Sequence, residues 1–157
     1  MTKTNAMRLL EQASIAFRAI EYEVDEDDLS GVHVAKQINV PPEQVFKTLV
    51  AKGEKIGYLV FCIPVAEELN LKKVATMVGD KKVELVPVKD LLNLTGYIRG
   101  GCSPVGMKKK FPTYVDETAI LFDEITISAG VRGCQLVVER ERLLDYLGAT
   151  LCDLTVR

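Results

Sequence analysis

Residues 56–66, I-G-Y-L-V-F-C-I-P-V-A, constrain the fold more than any other stretch. The run is far too short to cross a bilayer, which takes about 20 residues. Its apolar residues fall on both parities of a strand. A strand apolar on both faces belongs inside a sheet, with a layer packed on each side. Residues 45–52 form a second strand-like segment, and Gly53-Glu54-Lys55 between the two reads as a hairpin turn.

Around this hairpin the pattern alternates between periods. Residues 3–18 place Leu9, Leu10, Ala13 and Phe17 on one helical stripe, and residues 18–24 alternate as a strand through Ile20, Tyr22 and Val24. Ser30 reads as the N-cap of a helix to Ile38, stopped by Pro41-Pro42. Further helices are expected over 69–78, 88–94 and 139–147, with Gly79, Gly96 and Gly148 at or near their ends. Strands are expected over 82–86, 114–115, 119–122, 125–128 and 134–138. This irregular interleaving favours an α/β (α+β) domain with a mixed sheet over a doubly wound parallel fold. The chain of 157 residues shows no internal repeat or dividing linker, so one domain over 1–157 is expected.

Composition narrows the chemistry. Net charge is −2, so any nucleic-acid contact has to come from a local basic patch. The first dozen residues hold no uninterrupted apolar stretch of the secretory kind. Cys62, Cys102, Cys134 and Cys152 form no C-x-x-C pair, which fits reduced thiols in the cytoplasm. His33 is the single histidine, which argues against a zinc site, and it reads as an ordinary residue at a helix start.

Two features break local rules. Lys47 lies in E-Q-V-F-K-T-L-V with apolar neighbours on both parities. It either snorkels from a sheet edge or sits in a polar pocket, where a fixed ammonium meets a phosphate or a polarised carbonyl. The second feature is G-Y-I-R-G-G-C-S-P-V-G-M-K-K-K-F-P from Gly96. Gly100, Gly101 and Gly106 allow close backbone approach, successive N–H groups can form an anion-binding nest, and Pro104 stiffens the turn. The spacing fits neither a P-loop nor a dinucleotide fingerprint. Lys108, Lys109 and Lys110 add charge for a polyanion, and Lys72, Lys73, Lys81, Lys82 and Arg132 are candidates to extend that patch. A thiol nucleophile at Cys102 has no histidine near it in sequence.

Together these segments resemble the YbaK/EbsC family of aminoacyl-tRNA deacylases, related to the editing domain inserted in many bacterial prolyl-tRNA synthetases. The resemblance runs from about residue 7 to about residue 154. It rests on V-F-K-T-L-V around Lys47, P-V-A-E-E-L-N-L-K-K-V-A from Pro64, the glycine-rich segment from Gly96, and S-A-G-V-R-G from Ser128. It implies the compact editing-domain fold with a mixed, partly barrel-like sheet. It also implies removal of a wrong amino acid from tRNA, most typically cysteine from tRNA(Pro), with no metal or cofactor.

The family's essential lysine falls on Lys47. Its G-x-x-x-P loop falls on Gly100, Gly101, Cys102, Ser103 and Pro104, whose amides line the pocket near the ester. A pocket tyrosine falls on Tyr22, and Thr48, Ser128, Arg132 and Gln135 are carried over as substrate contacts. The acceptor stem of the tRNA is assigned to Lys108, Lys109 and Lys110, and prolyl-tRNA synthetase is a partner by family analogy. Gln135 stands where well-known members carry an aspartate, so cysteine specificity is not carried over intact. Hydrolysis of Ala- or Ser-tRNA and a non-catalytic tRNA- or synthetase-binding module remain alternatives. In the family's mechanism the substrate's own thiol attacks its ester, which leaves orientation and oxyanion donors to the protein.

Overall fold

The computed structural model describes residues 2–156. Five helices and eight strands run in the order α1 Asn5–Gln12, β1 Phe17–Glu21, α2 Gly31–Ile38, β2 Phe46–Gly53, β3 Gly57–Pro64, α3 Leu71–Val78, β4 Val83–Leu85, α4 Val88–Thr95, β5 Thr113–Asp116, β6 Glu124–Ser128, β7 Cys134–Glu139, α5 Arg140–Leu147 and β8 Thr150–Cys152 among the described residues. Two short 3-10 turns occupy Pro42–Gln44 and Glu117–Leu121.

The helix ends follow local chemistry. Thr4, Ser30 and Asn70 accept N–H bonds from Met7, His33 and Lys73, which caps α1, α2 and α3. Gly79, Gly96 and Gly148 take left-handed conformations at the C-termini of α3, α4 and α5. The helix expected over 3–18 stops early. Ser14 adopts φ 58° and Ile15 N–H reaches back to Leu10 O, so Phe17 opens a strand instead of a further turn. The strand expected over 119–122 is also absent. Asp116 Oδ2 accepts from both Thr118 N–H and Thr118 Oγ1–H and starts a 3-10 turn, leaving Ile120 and Leu121 exposed.

The strands form two sheets. One is antiparallel, β1-β7-β6; the other is mixed, β4-β2-β3-β5-β8, with β3 at its centre. β3 pairs antiparallel with β2 and parallel with β5, and β8, unforeseen in the sequence, adds a parallel edge on β5. The sheets touch at one parallel bridge, Val45 with Thr126, so they meet at a corner and close no barrel.

Core packing follows from β3. Val60 and Cys62 point into the main cluster between the sheets with Phe46, Val50, Ile125, Ile127, Leu136 and Met7. Leu59, Phe61 and Ile63 point the other way, against Val74 and Ala75 of α3 and against Leu154. A smaller cluster joins Val45, Val65, Ala35 and Ile38, with Ile20 and Tyr22 packed on it.

Candidate active site

The corner where the sheets meet is also where they part. Beyond the Val45–Thr126 bridge, β2 follows β3 and β6 follows β7. In this parallel relation, Lys47 and Ser128 each lie two residues past the bridge, on the two strands that diverge. β4 reaches β2 only at Ala51–Gly53 in the register, so Lys47 lies on a stretch with its second edge open. Sequence reasoning left two settings for this lysine, and the structure combines them: an open edge and a half-buried side chain. Thr48 points to the opposite face, with its hydroxyl 3.8 Å from Cys62 Sγ.

Lys47 has no hydrogen-bond or ion-pair partner among the described residues. Burial holds its pKa below the ordinary 10.5, and the charges of Glu68 and Glu67 partly oppose that shift. A desolvated ammonium without a partner is a site that favours an incoming acceptor.

The turn at 128–133 follows directly on β6. Ser128 Oγ accepts from Gly130 N–H at 3.1 Å, and Ala129 N–H bonds to Cys134 O. The glycine-rich loop packs directly on this turn. A Cβ on Gly101 would lie 3.1 Å from the Val131 carbonyl carbon and 3.2 Å from Arg132 N, so only glycine permits the two backbones to approach this closely. Arg132 Nε donates to Arg99 O at 2.9 Å, and its guanidinium lies 3.7 Å from Glu26. Arg132 thus ties the glycine loop and the β1–α2 connection to one turn.

Within the loop, Gly101 N–H is taken by Ile98 O. That removes Gly101 from the expected oxyanion donors. The amides of Gly100, Cys102 and Ser103 have no acceptor among the described residues. Ser103 Oγ accepts from Val105 N–H, Tyr97 donates its hydroxyl to Val105 O, and residues 101–105, Pro104 included, are buried. The loop is therefore rigid, with donors to spare. Burial pushes the Cys102 and Cys62 thiols up to about 12, so both hold their protons at neutral pH and Cys102 offers no thiolate.

A third group comes from the three-stranded sheet. Ser128 pairs with Gln135, and Gln135 with Ile20, in register. Thr126 and Gln135 are buried, and Thr126 Oγ1 and Gln135 Oε1 have no partner among the described residues. Tyr22 packs in the cluster around Val45, at the same corner. Thr126 was missed in the sequence, as were Glu67 and Glu68. Its signal is faint but present: in I-T-I-S, hydroxyls at 126 and 128 alternate with the core residues Ile125 and Ile127.

The lysines divide differently from the expectation. Lys108, Lys109 and Lys110 are exposed beside the end of α4, where Lys108 N–H bonds to Thr95 O. Lys73 is engaged by Asp153 at 3.0 Å and by Thr155 O, and Lys82 by Glu84 at 2.7 Å, so neither extends a free basic patch.

A sequence profile of the aminoacyl-tRNA editing domain matches residues 30–146, a span that holds Lys47, the glycine loop and the turn at 128–133. The chain belongs to the aminoacyl-tRNA editing domain family. An Enterococcus faecalis protein with the provisional name Cys-tRNA(Pro)/Cys-tRNA(Cys) deacylase EbsC is 45% identical across 99% of this editing-domain chain and 94% of its own length. The proline–tRNA ligase of Thermosipho africanus is 33% identical over 48% of this chain, a match spanning 13% of the ligase. Among solved structures, one described provisionally as a trans-editing enzyme for prolyl-tRNA synthetase superposes with a TM-score of 0.85 at 25% identity, covering 100% of both chains. The YbaK/EbsC resemblance and the mixed editing-domain fold therefore hold, without a closed barrel.

Proposed function

We propose that this editing domain acts in trans, cleaving the 3′-aminoacyl ester of a mischarged tRNA, with cysteine on tRNA(Pro) as the leading substrate. One observation carries the reading: a half-buried Lys47 without a partner among the described residues lies two residues past the Val45–Thr126 bridge, and a loop of unsatisfied amides packs on the turn that follows β6. The two relatives named for Cys-tRNA deacylation and prolyl editing support the choice of substrate.

In this scheme the terminal adenosine enters the corner where β2 and β6 diverge. The amides of Gly100, Cys102 and Ser103 face the ester carbonyl, where one oxyanion donor is worth about 3–4 kcal/mol in the transition state. Lys47 holds the terminal phosphate or the carbonyl oxygen. Thr126 Oγ1, Ser128 Oγ and Gln135 Oε1 receive the amino acid, whose α-ammonium brings three N–H donors. Gln135 offers that ammonium a neutral acceptor, and the carboxylates whose charge reaches Lys47 are Glu68 and Glu67. Tyr22 and Arg132 shape the corner, Thr48 on the opposite face of β2 does not, and Lys108, Lys109 and Lys110 meet the acceptor-stem phosphates.

Cleavage is substrate-assisted. The cysteine thiol attacks its own carbonyl, the C–S bond forms as the C–O bond to the ribose breaks, and the thiol proton ends on the released ribose hydroxyl. The protein supplies orientation, which in ideal intramolecular cases is worth about 7–11 kcal/mol. No protein nucleophile is needed, in keeping with a protonated Cys102.

Deacylation assays with Cys-tRNA(Pro), Ala-tRNA(Pro) and Ser-tRNA test the reading. Loss of the cysteinyl group alone is the expected result. Loss of all three would assign the attack to water, and loss of none would remove the enzyme reading. Tight tRNA binding without deacylation would leave a binding module, with prolyl-tRNA synthetase the first partner to try.

A further inference from the structure

A groove of about 510 Å³ lies on the far side of the same turn. Its walls are residues 2–5 ahead of and opening α1, Gly96 and Tyr97 at the start of the glycine-rich segment, residues 129–134 of the turn, and Glu21 at the end of β1. We infer that this groove holds a nucleotide of the single-stranded tRNA 3′ end, the one preceding the aminoacylated adenosine. The inference rests on the editing reading for the position of the ester, and on the groove itself for the rest.

The lining itself supports a nucleotide here. The groove and the glycine loop share one wall, since Val131 and Arg132 pack against Gly101 and also line the groove. A strand that ends at the glycine loop can leave across this turn. The amides of Val131, Arg132 and Gly133 have no acceptor among the described residues, so they are free for phosphate or base-edge oxygens. Lys3 and Arg132 supply positive charge at the rim. Among the described residues Lys3 is held only by Glu11, at 2.9 Å between exposed side chains, a pairing that water and a phosphate readily exchange.

Glu21 is the one carboxylate in the lining among the described residues, an acceptor for a ribose 2′-hydroxyl, the group that distinguishes RNA from DNA. Val131 and Ala129 give the groove an apolar wall for the face of a base. The volume lies within the roughly 300–1,000 Å³ of small-ligand sites.

Two variants leave the proposed catalytic groups untouched: Asn5→Trp, which fills the groove, and Lys3→Glu, which reverses its rim charge. Each is compared with wild type on Cys-tRNA(Pro) and on cysteinyl-adenosine, which carries the ester but no preceding nucleotide. Both variants are expected to raise KM for Cys-tRNA(Pro) by about tenfold, the contribution of one bound base. Turnover of cysteinyl-adenosine should remain at the wild-type value.

Equal loss on both substrates, or no change in KM on the tRNA, overturns the inference. Should the wild type cleave neither substrate, the editing reading fails separately and binding decides the groove. In that case the trinucleotide CpCpA is titrated into isotope-labelled protein. Amide shifts at residues 2–5 and 130–133 that vanish in Asn5→Trp sustain the inference, and their absence ends it.

Discussion

Thr126→Val should make the protein more stable and a worse deacylase. Thr126 is fully buried, and its Oγ1 has no partner among the described residues. A buried polar group left without a hydrogen bond costs about 1–3 kcal/mol. Valine replaces the hydroxyl with a methyl of similar size and suits a strand at least as well. The unfolding free energy should therefore rise by about 1–3 kcal/mol, or about 2–4 °C in Tm for each kcal/mol in a chain of this size.

If the hydroxyl waits for the amino acid, kcat/KM should fall by about threefold to tenfold, one ordinary hydrogen bond. Thr126→Ser is the control. It keeps the hydroxyl and its activity but loses a buried methyl, about 0.8 kcal/mol of stability. Urea denaturation of the three proteins and deacylation of Cys-tRNA(Pro) give both quantities. A destabilised Thr126→Val would refute the reasoning, because it would mean that the hydroxyl is already satisfied in the free protein.

Other substitutions probe the corner separately. Burial lowers the Lys47 pKa from 10.5, so the folded state carries this charge at a cost that is full below the folded pKa. Between that value and 10.5 the unfolded chain binds more protons, and stability rises with pH. Lys47→Met should therefore abolish deacylation yet melt above wild type at pH 7, with the gap closing as the pH of the melts approaches 10.5. Gly101→Ala drives a methyl against the Val131–Arg132 backbone at about 3.1 Å. Overpacking of this kind costs about 1–3 kcal/mol, and chemical denaturation should show it together with reduced turnover. Cys62 and Cys102, buried and pushed up to about 12, should resist a disulfide reagent at pH 8 until the protein is unfolded. Cys102→Ala should keep its deacylase activity in the same assay; its loss in a folded variant would restore the thiol as a candidate nucleophile.

What the sequence disclosed depended on how local each signal was. The β2–β3 hairpin was readable because Gly53-Glu54-Lys55 interrupts two apolar runs, and β3 proved central as its two apolar faces required. Caps at Ser30, Gly79 and Gly148 were readable for the same reason. Ser14 escaped notice because a left-handed serine carries no compositional mark, and β8 because three residues are too few for a period. Lys47 and the glycine loop stood out by violating their surroundings. Thr126 did not, since threonine is ordinary in a strand. Only the single bridge to Val45, 81 residues away in the chain, gives it a place at the corner. Gly101 shows the opposite error: glycine density was read as free amides, whereas its own N–H closes the turn on Ile98.

The corner is rich in donors and poor in bases, and that imbalance bears on which nucleophile attacks. Its amides and Lys47 stabilise negative charge, the Cys62 and Cys102 thiols are protonated, and His33 at the start of α2 lies 3.0 Å from Asp25. The carboxylates that Lys47 feels are Glu67 and Glu68, both exposed. Water attack would need one of these as general base, and the single-turnover rate would then follow no thiol ionisation. Attack by the substrate thiol predicts a different curve. The rate should climb through neutral pH towards the free-thiol pKa of about 8.5 as the thiolate forms. It should fall again once Lys47 loses its proton, earlier than an ordinary lysine would. Single-turnover rates on Cys-tRNA(Pro) from pH 5 to 10, corrected for spontaneous ester loss, separate the two. A flat profile from pH 6 to 9, combined with loss of activity in Glu67→Gln or Glu68→Gln, would transfer the chemistry from the substrate to the protein.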